Sequence, residues 1–194
     1  MKKRLFTLVF AIAFSLSLSG CASLEETLGK PESTAAASVP DSSVTVYFPR
    51  AGQNAEQKLI QEIQSAKKTL DVAIYSFTDK KVANAIAEDR KRGVTVRMIS
   101  DRECSGESSQ KASLKIIKGA GIPIKINSHS GIMHLKVSII DDSSVTTGSY
   151  NYTISAQKKN DENLVLIANQ TVAKQYETEF ERMWNDTKDY TDFS

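Results

Sequence analysis

The chain of 194 residues contains two histidines, and one of them, His134, stands two positions before Lys136 in the stretch HLKVSIIDDSSVTTGSYN (134–151). Leu135, Val137, Ile139 and Ile140 mark residues 134–140 as a buried strand. Side chains alternate along a strand, so His134, Lys136 and Ser138 share one face while Leu135, Val137 and Ile139 take the other. An unpaired lysine in a core is costly, so the polar face fronts solvent or lines a site. Asp142-Ser143-Ser144 reads as a turn and 145–147 as a second short strand. Such a hairpin returns Gly148-Ser149-Tyr150-Asn151 towards the start of the first strand. Imidazole, ammonium, hydroxyl and carboxamide then converge. That set suits a phosphodiester. The imidazole nitrogen is a nucleophile that works near neutral pH. Lys136, Ser149 and Asn151 offer charge and donors to the extra negative charge on a pentacoordinate phosphorus.

The elements that must position these residues alternate between strand and helix patterns. VTVYF (44–48) alternates as a strand, and 54–68 places Leu59, Ile60 and Ile63 at helical spacing. LDVAIYSF (70–77) is a strand. Thr78 or Asp79 caps a helix through Val82, Ala83, Ile86 and Ala87, and Gly93 ends it. VTVRMI (94–99) is a strand, 101–110 a polar loop, and 110–118 a helix stopped by Gly119 and Gly121. IPIKI (122–126) is a strand that Pro123 assigns to a sheet edge. NLVLIA (163–168) is a further strand, and the last helix carries Val172, Tyr176, Phe180 and Met183 on one face. This pattern predicts an α/β domain with a mixed sheet between helices on both faces. There is no internal repeat.

The N-terminus is of another kind. MKKR precedes the apolar run LFTLVFAIAFSLSLS, which has the length of a secretion signal and is too short for a spanning helix. Leu18-Ser19-Gly20-Cys21 resembles the lipobox of bacterial lipoproteins, in which the cysteine is acylated and begins the mature chain. The expected plan is a signal peptide at 1–20, a lipidated Cys21 with a linker to residue 43, a folded domain at 44–188, and a tail at 189–194. Localisation follows as an exported lipoprotein, anchored in a membrane and facing the periplasm or the exterior. The non-Asp residue Ala22 favours the outer membrane where one exists. The linker is rich in Ser, Ala, Thr, Glu and Pro and reaches about 70–80 Å when extended. With Cys21 acylated, Cys104 has no intramolecular partner and reads as a spectator. CxxC and HxxxH spacings are absent, so no metal site is expected and no cofactor is implied.

Charge is uneven along the chain. Lys and Arg total 25 against 23 Asp and Glu. Residues 80–136 hold twelve basic and five acidic residues, and 160–194 hold three and eight. Either a basic face for a polyanion or two solvated helix faces of opposite sign accounts for this.

The spacing His134-x-Lys136, four residues, Asp141, six residues, Gly148-Ser149-x-Asn151 resembles the HKD signature of the phospholipase D superfamily. DVAIYSFTD (71–79), KRGVTVRMISD (91–101), GAGIPIKI (119–126) and KKNDENLVLI (158–167) resemble segments of its small, single-motif, EDTA-resistant bacterial endonucleases, over residues 44–188. The resemblance implies that His134 attacks phosphorus and forms a phosphohistidine. Lys136 and Asn151, helped by Ser149, hold the phosphoryl oxygens, and Glu162 orients the His134 ring. Asp141 and Gly148 are structural. Two proton-handling groups are needed and the motif occurs once. The resemblance therefore implies a homodimer with one composite site on the two-fold axis. His129 acting in cis is the rival. Three functions follow: a metal-independent nuclease for DNA or RNA, a phospholipase D or cardiolipin-type lipid phosphodiesterase, and an inactive phosphate-binding lipoprotein. Retention of every motif residue weighs against the last.

Overall fold

The computed structural model describes residues 43–194. Cys21, the expected signal peptide and nearly all of the expected linker lie outside the described residues. In chain order the elements are β1 (Ser43–Tyr47), a turn of 3-10 helix (Pro49–Ala51), α1 (Ala55–Gln64), β2 (Thr69–Ile74), α2 (Lys80–Lys91), β3 (Thr95–Ser100), α3 (Arg102–Gly106), α4 (Ser108–Gly119), β4 (Ile124–Asn127), β5 (Lys136–Ile140), β6 (Ser144–Gly148), α5 (Ile154–Lys158), β7 (Leu164–Ala168), α6 (Gln170–Asn185) and β8 (Tyr190–Asp192). The strands form one sheet in the order β1-β7-β6-β5-β2-β3-β4-β8. β2, β3 and β4 run parallel to one another and the remaining pairs are antiparallel. The mixed sheet between two helical layers is thus the expected architecture.

Strand parity decides which core each residue joins. Leu70, Val72 and Ile74 of β2 meet Leu59 and Ile63 of α1, Val82 and Ile86 of α2, and Leu114 and Ile117 of α4. Ala73, Ile99, Val137 and Ile139 point the other way, onto Phe180 and Met183 of α6. Asp79 caps α2 by accepting from the Lys81 N–H at 2.8 Å, and Gly93 closes it at φ +96°. Among the described residues no helix is long and apolar enough to cross a membrane.

Three expectations are corrected. The stretch 101–110 is not a loop: Asp101 accepts from the N–H groups of Glu103 and Cys104, both at 3.0 Å, and starts α3, and α4 already begins at Ser108. β4 is not an edge, because β8 pairs beyond it. Pro123 lies just before β4, so the ladder loses no donor to it, and its carbonyl accepts from Met98. Residues 189–194 are not a free tail: Tyr190 is buried and Tyr190–Asp192 is the last strand of the sheet.

Candidate active site

The β5–β6 hairpin forms in the register Ser138↔Thr146, Ile139↔Val145, Ile140↔Ser144. Its turn is made by Asp141 and Asp142 at φ +50° and +52°. Asp141 owes that conformation to its carboxylate, which accepts the main-chain N–H groups of Lys67 (2.9 Å), Lys68 (2.7 Å) and Thr69 (2.9 Å). Burial would raise its pKa, but the three N–H donors and the Lys68 charge outweigh burial and hold the carboxyl below its ordinary value. The hairpin is therefore pinned at its turn to the start of β2, and its open end carries the candidate site.

At that open end His134, Lys136, Gly148, Ser149, Asn151, Glu162 and Asn163 line an open cleft of about 630 Å³. His134 lies just ahead of β5, exposed to the cleft. Its ring meets the Tyr75 ring edge-on at 4.5 Å. Lys136 is 6% exposed. Its Nζ donates to the His134 carbonyl oxygen at 2.7 Å and sits 4.9 Å from the Tyr75 ring centroid. Burial pushes this ammonium below its ordinary pKa, while Glu162 and then Cys104 pull it back up. A desolvated cation with N–H bonds left to make gains more from an incoming phosphate than a solvated one. Ser138, expected on the same face, is buried, and its hydroxyl pairs with that of Tyr152 at 2.7 Å.

Asn151 is fixed by chain pairing. Tyr152 bridges Phe77, and the Ser76 N–H donates to Asn151 Oδ1 at 3.2 Å. Only oxygen can accept that bond, so the amide nitrogen is the free end of the carboxamide. Gly148 has φ +125°, and a methyl group there would run into the Asn163 main-chain carbonyl. This close approach lets Asn163 Oδ1 accept from the Ser149 N–H at 2.8 Å and the Asn163 N–H donate to Ser149 Oγ at 3.1 Å. Ser149 Oγ donates in turn to Glu162 Oε2, and Asn160 Nδ2 donates to Glu162 Oε1 at 3.0 Å.

The contact expected between Glu162 and the His134 ring is therefore not the one made. Both Glu162 oxygens are engaged by Ser149 and Asn160, and the Ser149 proton is committed to Glu162. Glu162 still lines the cleft and acts on Lys136 through its charge. His129 does not line it. Its Nδ1 accepts from the Gly131 N–H at 3.1 Å, and its ring packs edge-on against Tyr190. Burial pushes the Cys104 thiol up, with Tyr75 hydrogen bonding opposing, which disfavours the thiolate.

Sequence reasoning missed three positioning residues. Tyr75 is the platform under His134 and Lys136. Asp101, fully buried, accepts from the Met133 N–H at 3.0 Å and anchors the approach to His134. Asn127, also buried, ties the same loop by donating to the Gly131 carbonyl at 2.8 Å and accepting from the Arg102 N–H at 2.8 Å. The available signal lay in two segments already singled out, DVAIYSFTD and KRGVTVRMISD, which contain Tyr75 and Asp101. The basic run also shrinks. Lys81 pairs with Glu56, Lys91 with Glu88, Arg92 with Asp89, and Arg97 with Asp71, Glu177 and Glu181. Lys81 and Arg97 thus meet acids from outside the run, and part of the charge asymmetry cancels within the fold.

A sheet of this topology with this constellation on one hairpin defines the phospholipase D class of domain. The chain belongs to that superfamily: the family described as cardiolipin synthase, PLD-like domain, matches residues 59–184. The phospholipase D of Rickettsia prowazekii (strain Madrid E) is 35% identical over 132 residues, covering 68% of this chain and 62% of its own length. The mitochondrial cardiolipin hydrolase of Xenopus tropicalis is 30% identical over 133 residues, covering 69% and 62%. The chain thus spans roughly three fifths of the length of these curated relatives. Among solved structures, the phospholipase D family member Nuc from Salmonella typhimurium superposes with a TM-score of 0.73 at 32% identity, covering 79% of this chain and 99% of that one. NucT from Helicobacter pylori gives 0.69 at 26% identity, covering 79% and 100%.

Proposed function

We propose that this domain is a phosphodiesterase that cuts the backbone of nucleic acid, DNA or RNA, without a metal. The observation that carries the reading is the cleft itself. It is open, every residue lining it is polar or glycine, and it joins a nucleophile to an ammonium and a free amide N–H. A His134 ring nitrogen attacks phosphorus in line. The N–P bond forms as the P–O bond to the leaving nucleoside breaks. Lys136 Nζ and Asn151 Nδ2 hold the non-bridging oxygens as charge builds on them. The leaving oxygen takes a proton from a second acid. Water then gives a proton back to that group and attacks phosphorus, and the N–P bond breaks to free His134.

His134 is the single histidine of this cleft, so the second acid is assigned to His134 of another copy, in a symmetric homodimer. Export and lipid anchoring through Cys21 belong to the same proposal, and rest on the residues before Cys21 alone. The similarity to the Rickettsia phospholipase D and the Xenopus cardiolipin hydrolase supports a second reading, a lipid phosphodiesterase. Against it, the apolar cavity of about 220 Å³ between Val137, Ile139, Tyr176, Phe180 and Met183 lies on the α6 side of the sheet, on the strand parity opposite to Lys136.

The test offers plasmid DNA, RNA and phospholipid vesicles to the purified chain in EDTA, with His134→Ala as control. Nicking that survives EDTA and is lost in the variant is expected. Cleavage that requires a divalent metal, or turnover of vesicles alone, rejects the reading. Re-equilibrating wild type with an equal amount of His134→Ala leaves roughly half of the activity the wild type had before mixing if the site is composite; activity that stays in direct proportion to wild-type chains refutes the shared site.

A further inference from the structure

Beside the reacting cleft lies a second concavity of about 420 Å³, which shares Ser149, Glu162 and Asn163 with it and is completed by Phe48, Arg50 and Asp161. Phe48 is 50% exposed, a large aromatic surface left facing water at the rim of a polar site. It is not a loose side chain on a loose turn. The Phe48 N–H donates to Gln53 Oε1 at 2.6 Å, and its carbonyl accepts from Ala51 at 3.0 Å. Pro49 follows and fixes the backbone. Gln157 of α5 clamps the turn from behind: its Oε1 accepts from the Glu56 N–H at 2.9 Å and its Nε2 donates to the Gln53 carbonyl at 3.3 Å. α5 runs on directly into the loop that carries Glu162, so the shelf and the cleft share one frame.

Arg50 is held so that its charge stays available. Its Nη1 donates to the Lys159 carbonyl at 3.3 Å, and its Nε lies 3.7 Å from Asp161 Oδ1. The Asp161 side chain is 92% exposed and that of Arg50 56%. An ion pair so long and so solvated contributes almost nothing, and a phosphate offering two oxygens to the guanidinium displaces it readily. An open aromatic face next to a guanidinium, both flanking a site suited to a phosphodiester, offers one surface for a base and one for a phosphate. A base stacks on the ring without sequence preference, and the next phosphate meets the guanidinium.

Resting on the nucleic-acid reading, we propose that Phe48 and Arg50 form a nucleotide subsite beside the scissile phosphate. Phe48 stacks the base of the adjoining nucleotide, and Arg50 takes its phosphate in place of Asp161. The subsite raises affinity for a polynucleotide over a small phosphodiester that carries no neighbour.

The experiment compares the full chain, purified in detergent, with Phe48→Ala, Phe48→Trp and Arg50→Ala. Each is assayed in EDTA on a labelled single-stranded oligonucleotide and on bis(p-nitrophenyl) phosphate. For Phe48→Ala the ratio of kcat/KM on the oligonucleotide to that on the small ester falls about 5- to 50-fold, mainly through KM, and Phe48→Trp restores it. For Arg50→Ala the slope of log affinity against log salt becomes shallower by about 0.7. Unchanged ratios and an unchanged slope in variants whose parent cuts the oligonucleotide overturn the subsite and leave the nuclease reading standing. Failure of the wild-type chain itself to cut DNA or RNA, with the small ester or vesicles still turned over, overturns both. Both residues are half exposed, and Arg50→Ala tests the shelf independently should Phe48→Ala lose its fold.

Discussion

Replacing Asp141 by Asn separates the structural part of the hairpin from its chemistry. In the wild type one carboxylate oxygen accepts from Lys68 and Thr69 and the other from Lys67. Asn keeps a carbonyl oxygen for the first pair and sets an NH2 group against the Lys67 N–H. One bond is lost and the other two lose their charge assistance. Hydrogen bonds to a charged group are worth about 1.5–3 kcal/mol each. The bonds to Lys67 and Lys68 are exposed to solvent, which lowers the expected loss to about 2–3 kcal/mol. For a domain of this size that is a fall in Tm of about 5–10 °C. The carboxyl's pKa is lowered from 3.8 in the fold. Its contribution is therefore complete above that value and disappears as pH falls through the depressed native one. Melts of wild type and variant, followed by circular dichroism at pH 7 and in steps below pH 4, should differ at neutrality and converge in acid. Asp141 does not line the cleft, so turnover well below the Tm should stay within a few-fold. An unchanged Tm at pH 7, or a gap that persists undiminished in acid, refutes the anchoring argument. A loss of turnover beyond a hundredfold without loss of stability places Asp141 in the chemistry instead.

Gly148→Ala puts a methyl group into the Asn163 carbonyl at a φ of +125°. It should cost about 3 kcal/mol in urea unfolding and lower kcat/KM more than a hundredfold, because Ser149 and Asn163 can no longer hold each other. Asp89 is fully buried; Arg92 lies 2.9 Å away, but in a geometry that gives neither carboxylate oxygen a hydrogen bond. Burial pushes its pKa from 3.8 to about 6, against the pull of Arg92. A raised carboxyl pKa binds protons more tightly in the fold, so stability declines as pH rises from about 4 through about 6. Asp89→Asn removes that decline: it should stabilise by about 1–2 kcal/mol in urea melts at pH 8, by about half as much at pH 5, and by little below about pH 3.5.

The hairpin was the most legible part of the site. Its strands alternate cleanly, its turn falls one residue earlier than expected, on Asp141-Asp142-Ser143, and strand parity alone put Lys136 on a different face from Val137 and Ile139. The helices were legible too, since Leu59 and Ile63, or Phe180 and Met183, recur at the helical period. Glu162 was harder. Its position in the chain was readable, but its partner depends on how close Gly148 lets the Asn163 backbone approach, which has no local signal. The same holds for Asp101 and Asn127, whose polar groups serve a loop that follows them in the chain. β8 escaped because a three-residue strand carries too little alternation to show; it exists because β4 presents free ladder groups and Tyr190 finds a buried place.

By itself, then, the order of residues determined the set of candidate reacting groups, the strand they belong to and the face they share, because alternation along a strand is a property of the chain alone. Tertiary structure decided what each group has left to give. Asn151 offers its amide nitrogen because Ser76 takes the oxygen, Ser149 is turned to Glu162, Lys136 is stripped of water over Tyr75, and His129 is diverted to Tyr190. Hydrogen-bond partners and desolvation come from segments far apart in sequence, and only packing brings them together.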